Sequence, residues 1–230
     1  MELPEYLIQT QKFHEKNYLR FGNSYQRKYP NENVIRFLTP LIKKKPLVLD
    51  LGCGNGRHIK LMKELRIKCH GLDFSKTALK ITKKNIKSKS NLYFDALPNI
   101  KSVKPKTYDI AIDCMCSYTL RLNDFRVYID NLSNVLKKNS LFYLETLSQN
   151  SDLFKNYKPS IKIDKISLNR ILRKTSPFPK DNYLLSFYSK ELLKKILLKH
   201  FKHLKIETIS RTYRNNKEYF ETLIVIAKKK

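Results

Sequence analysis

Short apolar runs alternate with segments of helical periodicity along most of the chain. Strands that alternate with helices in this way predict βαβ units and a parallel sheet. Two late runs are joined by only a short polar segment and predict an antiparallel pair. The pattern therefore indicates an α/β fold, and 230 residues are most simply one domain, 1–230. The seven strand-like runs are residues 47–51, 68–73, 91–98, 108–115, 140–147, 204–213 and 220–227.

A glycine-rich turn follows the first of these runs. It reads Asp50-Leu51-Gly52-Cys53-Gly54-Asn55-Gly56-Arg57, and a helical pattern begins directly after it. Such a unit lets a ligand lie against bare backbone at a helix N-terminus. A dinucleotide fingerprint would need its third glycine at Arg57, and a Walker loop would need a Gly-Lys-Ser/Thr ending. The turn therefore disfavours both of those ligand classes.

The turn resembles motif I of the class I S-adenosylmethionine-dependent methyltransferases, in which an acidic residue precedes Gly-x-Gly-x-Gly. This resemblance implies a Rossmann-like, seven-stranded, mostly parallel sheet with a C-terminal antiparallel hairpin and helices on both faces. It implies S-adenosyl-L-methionine as the cofactor, with its ammonium near Asp50. The polar end of the cofactor would lie along the turn, which is formed by Gly52, Cys53, Gly54, Asn55 and Gly56.

An acidic residue follows the glycine turn at an informative distance. Asp73 lies 21 positions beyond Gly52. A carboxylate at about that distance lies at the tip of the neighbouring strand and can accept both ribose hydroxyls. The alternative for Asp73 is an Asx turn before a helix that Ser75 caps. The resemblance places Phe74 in the same site, with Asp95 on the adenine amino group and Ala96 and Leu97 beside the ring.

Two segments outside the alternating core are expected to complete the site. Residues 1–45 are mostly helical in pattern and rich in aromatic side chains, and in the family such a region often covers the cofactor as a lid. Within it, Tyr25 and Arg27 are candidates for contacts to the cofactor or the substrate, with packing an equal alternative for Tyr25. Residues 148–186 lack clear alternation and predict an insertion over the active-site face.

The acceptor chemistry has several candidate residues. A hydroxyl acceptor needs a base, whereas an unprotonated amine needs little help. Asp113, at the end of the fourth strand, is the first candidate for the base and also for a cofactor contact, and a cap on the following loop is its alternative. His14, Tyr118 and Tyr25 are the other candidates for the base.

The substrate class can be narrowed by two absent motifs. No Asn/Asp-Pro-Pro-Tyr/Phe motif follows the fourth strand, and the chain contains no Pro-Cys dipeptide. Their absence argues against methylation of bases in DNA. The pattern resembles the group that methylates O, N or C atoms of small molecules, and transfer to an O or N atom of a small molecule is the expected activity.

The charge of the chain adds a second hypothesis. The chain has 47 Lys and Arg against 20 Asp and Glu, which gives a net charge of +27. A polyanion such as RNA would suit this charge, so an RNA methyltransferase is an alternative. The lysines are spread along the whole chain, which compositional drift also explains, and we favour drift. A non-catalytic protein that binds S-adenosylmethionine is a third, less favoured alternative.

Cysteine spacing and hydropathy bound the cellular setting. Cys53, Cys69, Cys114 and Cys116 form no C-x-x-C pair, which predicts reduced thiols and no metal site. No apolar stretch approaches the length that spans a bilayer, and the first residues lack the regions of a signal peptide. We therefore expect a cytoplasmic protein without stable membrane insertion.

Overall fold

The structure of the protein is a computed structural model that describes residues 3–86, 90–171 and 183–230. Short 3-10 turns connect several of its regular elements, and loops of a few residues connect most of the others. The helices are α1 (Glu5–Phe21), α2 (Glu32–Leu38), α3 (Arg57–Glu64), α4 (Lys76–Ile86), α5 (Leu122–Val135), α6 (Asp152–Lys155) and α7 (Lys190–Leu197). The strands are β1 (Leu47–Leu51), β2 (Lys68–Asp73), β3 (Leu92–Phe94), β4 (Tyr108–Cys114), β5 (Leu136–Ser148), β6 (Ser167–Leu168), β7 (Leu185–Tyr188), β8 (Phe201–Tyr213) and β9 (Glu218–Lys229).

One mixed sheet organises these elements. Strands β3, β2, β1, β4 and β5 lie side by side in that order and are parallel. Strand β9 pairs antiparallel with β5, and β8 pairs antiparallel with β9. The predicted fold class, a mostly parallel sheet with a closing antiparallel pair, is therefore confirmed.

The sheet has nine described strands, whereas the sequence pattern predicts seven. The two additional strands come from the segment expected to be an insertion: β7 pairs in parallel with the end of β5, and β6 pairs antiparallel with β7. At two and four residues, they are too short to give a period-2 signal. Part of that segment, 172–182, lies outside the described residues.

Helices cover both faces of the sheet because apolar side chains alternate along each strand. Leu49 and Leu51 of β1 pack in a cluster with residues of α5 and α7. Val48 points to the opposite face and packs in a second cluster with α2 and α3. Among the described residues, no helix has both the length and the apolar composition needed to cross a membrane.

Strand β5 begins four residues before the predicted start at 140. The pattern hides this start because Lys137, Lys138 and Asn139 are exposed and polar. Asn139 has φ +64°, and the register with β4 shifts between Tyr108 and Ile110. A β-bulge of this kind carries polar residues without ending the strand.

Strand β8 forms one edge of the sheet. It is 13 residues long and pairs with β9, and no second neighbour lies beside it among the described residues. Most of its side chains are partly or fully exposed, including Lys205 and Arg211. Its register with β9 shifts between Lys202 and Lys205.

Candidate active site

The glycine turn lies at the carboxyl end of β1 and is tied to the end of β2. The amides of Gly52 and Cys53 both donate to the Leu72 carbonyl, at 2.8 and 3.0 Å. Gly52 has φ +66°, and a Cβ there would overlap the thiol of Cys116. A Cβ on Gly54 would overlap the Gln26 side-chain oxygen. The turn therefore needs glycine both for its backbone conformation and for its close neighbours.

Asp73 ends β2 directly beside this turn. Its Oδ2 accepts the Gly54 amide at 2.9 Å, and its Oδ1 accepts the Ser75 amide at 2.8 Å. The side chain is 4% exposed. Burial raises the pKa of Asp73 to about 6, although the two amide hydrogen bonds act in the opposite direction. Both sequence hypotheses fit this geometry, since Asp73 makes the Asx turn and lines the adjacent cavity.

A cavity of about 650 Å³ opens at this edge of the sheet. Its wall combines two carboxylates, bare glycine backbone, aromatic rings and aliphatic side chains. None of the described residues that line it is a lysine or an arginine. The lining residues are Leu7, His14, Tyr18, Gln26, Gly52, Leu72, Asp73, Phe74, Asp95, Leu97, Met115, Cys116, Tyr118, Thr119 and Leu120.

The segment after β3 contributes the second carboxylate of the cavity. Asp95 lines the cavity and accepts the amides of Ala96 and Ser102, each at 2.8 Å. Leu97 also lines the cavity, and Ala96 is buried beside it in the chain. The structure thus brings Asp73, Phe74, Asp95 and Leu97 to one cavity, as the sequence predicts.

Asp50 lies two positions before Gly52, the nearest lining residue in the chain. It is 1% exposed, and its Oδ1 is 3.6 Å from Nδ1 of His58. Its other oxygen is buried and has no hydrogen-bond partner among the residues that the structure describes. Asp50 is not among the lining residues of the cavity, so a contact with a bound ligand would pass through an intervening group.

Two other predicted cofactor residues support the turn from the side of the N-terminal segment. The Asn55 side chain donates to the Arg27 carbonyl at 3.2 Å, and the Asn55 amide donates to Oε1 of Gln26 at 3.4 Å. The contact of Arg27 is thus made by its backbone. Gly56, where a Cβ would overlap Thr82, and the buried Cys53 also lie outside the cavity lining.

Asp113 occupies a different place from the one expected for a catalytic base. It is fully buried on the sheet face that Leu51 shares, and it is not a lining residue. Its Oδ1 accepts the amides of Cys116 and Ser117 at 3.1 and 3.2 Å, and its Oδ2 accepts the Tyr128 hydroxyl at 2.9 Å. This geometry is that of the alternative role, a cap on the loop after β4, and it corrects the placement of Asp113 at the transfer point.

His14 and Tyr118, the other predicted catalytic residues, both line the cavity. Nδ1 of His14 is 2.8 Å from the Tyr25 hydroxyl. Burial lowers the pKa of His14 to about 4, so the imidazole is neutral at neutral pH. The Tyr118 hydroxyl is 3.3 Å from that of Tyr183. Tyr25 is held against His14 and is not a lining residue.

Hydrogen bonds of its polar side chains hold helix α1 over the cavity. Glu15 accepts the hydroxyls of Ser75 and Thr77, each at 2.5 Å, at the start of α4. Gln11 donates to the Phe74 carbonyl at 2.6 Å. Ser75 also accepts the Ala78 amide, so it caps α4 as predicted. These contacts join α1 to the segment that directly follows Asp73.

Tyr18 and Gln26 are cavity residues that the sequence predictions omit. The Tyr18 hydroxyl is buried beside Gly54 and has no hydrogen-bond partner within the described part of the chain. A signal for Tyr18 is present in the sequence, because Leu7, His14 and Tyr18 share one helical face at spacings of seven and four. Gln26 follows the helix in an irregular turn and leaves no such signal.

These residues fit an adenosyl sulfonium ligand. Gly52 of the turn lines the cavity, and the orphan Tyr18 hydroxyl, beside Gly54, can donate to a carboxylate at the same place. Asp73 and Asp95 can accept from hydroxyl and amino groups. Within residues 3–86, 90–171 and 183–230, no three His, Cys, Asp or Glu side chains are grouped so that they could hold a metal ion.

Comparisons with known proteins agree with this geometry. A family model described as a methyltransferase domain matches residues 42–213. Over 134 residues the chain is 30% identical to a ubiquinone biosynthesis O-methyltransferase of Pelagibacter ubique (strain HTCC1062). That alignment covers 55% of this chain and 54% of the relative, so the chain spans about half the length of the relative.

Solved structures share the fold at low sequence identity. One is an S-adenosylmethionine-dependent methyltransferase from Methanosarcina mazei, with a TM-score of 0.65, 16% identity and coverage of 83% of this chain and 97% of that chain. Another is a 1,6-didemethyltoxoflavin-N1-methyltransferase from Burkholderia thailandensis, with bound 1,6-didemethyltoxoflavin and S-adenosylhomocysteine. It has a TM-score of 0.68, 13% identity and coverage of 100% of this chain and 93% of that chain.

Proposed function

This chain belongs to the class I S-adenosylmethionine-dependent methyltransferases, and on that premise we propose that it methylates an oxygen or nitrogen atom of a small molecule. The observation that carries the proposal is the composition of the cavity. Two carboxylates and bare glycine backbone line its cofactor side, and no described lining residue is a lysine or an arginine.

The cofactor supplies an activated methyl group when it is bound. The chain binds and orients the two reactants and excludes water from them. In this proposal Asp73 accepts from the ribose hydroxyls, Asp95 accepts from the adenine amino group, and Leu97 packs at the ring. The amides of the glycine turn and the Tyr18 hydroxyl hold the polar end. Helix α1 closes the cavity through Glu15 and Gln11, and holding both reactants in line is the main source of rate enhancement.

The nature of the acceptor is supported by two lines of argument. The name of the Pelagibacter relative specifies an O-methyltransferase, which favours oxygen. The described part of the cavity wall gives no cation to a phosphate, which favours a small molecule over RNA even though the net charge is +27. Basic side chains outside this wall act through long-range attraction.

Calorimetry with S-adenosylhomocysteine tests the cofactor part of the proposal. We expect the wild-type protein to bind with micromolar affinity and to gain thermal stability at saturating ligand, because a ligand that binds only the folded state stabilises it. Release of S-adenosylhomocysteine can then be followed with small phenols, small amines and bulk tRNA as acceptors. Lack of binding at 1 mM ligand, a concentration about a thousandfold above the expected Kd, would refute the proposal. Turnover with tRNA alone would instead favour an RNA substrate.

A further inference from the structure

His14 lines the cavity and packs among aromatic rings, of which Phe74 also lines the cavity. Its ring centroid lies 4.9 Å from that of Tyr183, 5.5 Å from Phe13 and 5.7 Å from Phe74. Nδ1 is held by the Tyr25 hydroxyl at 2.8 Å. No hydrogen bond to Nε2 is found among the described residues. The imidazole is therefore fixed at one nitrogen and free to meet a ligand at the other.

The surroundings of His14 carry little charge. The carboxylates of the cavity, Asp73 and Asp95, lie at the ends of β2 and β3, where they belong to the proposed cofactor side. The rings around His14 come from α1, from the turn after α1, from the segment after β2 and from the end of the insertion. Among the residues that the structure describes, none that lines the cavity is a cation that could pair with an anion beside His14, which favours a flat, uncharged molecule in this space.

We propose that His14, held by Tyr25, accepts the proton of a hydroxyl group on an uncharged, ring-shaped acceptor. This inference rests on the proposed function and names its acceptor chemistry. The acceptor oxygen forms a bond to the methyl carbon, and the carbon–sulfur bond breaks with its electron pair remaining on sulfur. The hydroxyl proton passes to Nε2 of His14, and Nδ1 donates its hydrogen to the Tyr25 oxygen in the tautomer that this requires.

Burial keeps the base available over a wide pH range. The pKa of His14 is lowered to about 4 because the imidazole is desolvated, so Nε2 is unprotonated well below neutral pH. The titratable side chains whose rings contact the imidazole are Tyr25 and Tyr183. A hydroxyl whose oxygen is gaining a third bond is a much stronger acid than this imidazolium, so the proton transfer is downhill.

The protein contains a matched control for this pair. Nδ1 of His70, in β2, is also 2.8 Å from a tyrosine hydroxyl, that of Tyr108. Neither His70 nor Tyr108 lines the cavity. The substitution His70→Asn makes the same change of side chain at a histidine outside the cavity lining.

The first test is binding of catechol to the protein saturated with S-adenosylhomocysteine, followed by NMR of the histidine ring protons. We expect catechol to shift the His14 resonance and to leave that of His70 in place. Phenyl phosphate, which has a similar ring and carries charge, should leave both unchanged at the same concentration. A His14 signal that does not respond to catechol, or that responds equally to phenyl phosphate, would overturn the proposal.

The second test is methylation of catechol by the wild type and by His14→Asn, Tyr25→Phe and His70→Asn. We expect His14→Asn to lower kcat at least about 100-fold, the usual scale for loss of a general base. The loss in Tyr25→Phe should be about tenfold, as for a positioning residue. His70→Asn should keep the wild-type kcat. With S-adenosylmethionine saturating at each pH, the wild-type kcat should be constant from pH 6 to 8 and should fall below about pH 5.

Two controls separate the failure of this inference from failure of the proposed function. The affinity of His14→Asn for S-adenosylhomocysteine should stay within twofold of the wild type, which also shows that the variant folds. If the wild type binds S-adenosylhomocysteine but does not methylate catechol, or if His14→Asn methylates it at the wild-type rate, the role of His14 is refuted. If the wild type does not bind S-adenosylhomocysteine, the proposed function itself fails.

Discussion

The two ends of the parallel strands carry the same kinds of side chain in different surroundings. At the carboxyl ends, Asp73 is 4% exposed and its pKa is raised to about 6 because it is buried. At the amino ends, the Asp109 side chain is 42% exposed and accepts from Lys137 at 2.8 Å and from the Leu47 amide at 2.9 Å. The Lys137 ammonium and the amide together hold the pKa of Asp109 below its usual value.

The comparison teaches how to separate residues that serve the site from residues that serve the fold. At the amino ends, Asp109 is satisfied by the Lys137 ammonium, the Leu47 amide and solvent. At the carboxyl ends, Asp73 and Asp95 line the cavity and are held by backbone amides, which leaves lone pairs on their oxygens for a ligand. A carboxylate that is buried at a cost and left partly unpaired is a stronger indication of function than one in an exposed ion pair.

The largest effect that would sharpen this contrast is expected from Gly52→Ala. The new Cβ would overlap the Cys116 thiol at a residue with φ +66°, so we expect a loss of about 2–4 kcal/mol in the free energy of unfolding. Gly22→Ala is the control, because Gly22 has φ +54° but no atom within 4 Å of the added Cβ. Backbone conformation alone should cost about 1–2 kcal/mol there. Chemical denaturation measures both; equal losses would show that the close contact at Gly52 is unimportant.

The next effect concerns the two aspartates themselves. Asp73→Ala should weaken binding of S-adenosylhomocysteine by about 1–3 kcal/mol, since ligand hydroxyls would be left unpaired. Asp109→Ala should leave the Kd unchanged and should affect only thermal stability. Calorimetry on both variants decides the matter, and an unchanged Kd in Asp73→Ala would contradict the ribose assignment.

The raised pKa of Asp73 predicts that the affinity for S-adenosylhomocysteine depends on pH through this residue at the carboxyl ends of the strands, and not through Asp109 at the amino ends. Ligand hydroxyls donate to the ionised carboxylate, so binding should favour that form and should weaken as pH falls through about 6. Between pH 7 and pH 5 we expect the affinity for S-adenosylhomocysteine to drop up to about tenfold, the change for one linked proton that binds with a pKa of about 6. Asp73→Asn should show a weak dependence, whereas Asp109→Asn should follow the wild type. A profile of Asp73→Asn that matches the wild type would exclude Asp73 as the linked group.

The smallest effect is expected from weakening the hydrogen bonds that hold α1 over the cavity. Glu15→Gln keeps the size of the side chain but removes the charge that accepts from Ser75 and Thr77. We expect about a two- to fivefold faster release of S-adenosylhomocysteine, equivalent to a change of about 0.4–1 kcal/mol. Asp130→Asn, which removes an exposed ion pair with Lys199, should leave the release rate unchanged. Stopped-flow measurements that find equal rates in Glu15→Gln and the wild type would show that α1 does not control release.

Local patterns were sufficient to predict part of the site. The glycine turn and Asp73 can be located because each follows a strand at a fixed distance, and parallel strands bring their carboxyl ends together. Asp95 follows from the family resemblance. His14 and Tyr118 were named as candidates and do line the cavity. The fold class followed from the alternation of strands and helices.

Other features depend on contacts between distant parts of the chain. The role of Asp113 depends on its hydrogen bonds with amides of the next loop and with Tyr128, which the strand pattern does not reveal. The fastening of α1 joins Glu15 to Thr77, 62 positions away. The pairing of β6 with β7 involves two residues on the shorter side. No local periodicity encodes such contacts.

The long free edge at β8 has a consequence for handling the protein in solution. The open edge of a strand can pair with the same edge of another copy. The charged side chains of Lys205 and Arg211 on β8 oppose this pairing by mutual repulsion. Heparin or concentrated salt, often added during purification of basic proteins, would cancel that repulsion. Under such conditions we expect the sheets of neighbouring molecules to join edge to edge, and aggregation would then reflect neutralised charge rather than unfolding.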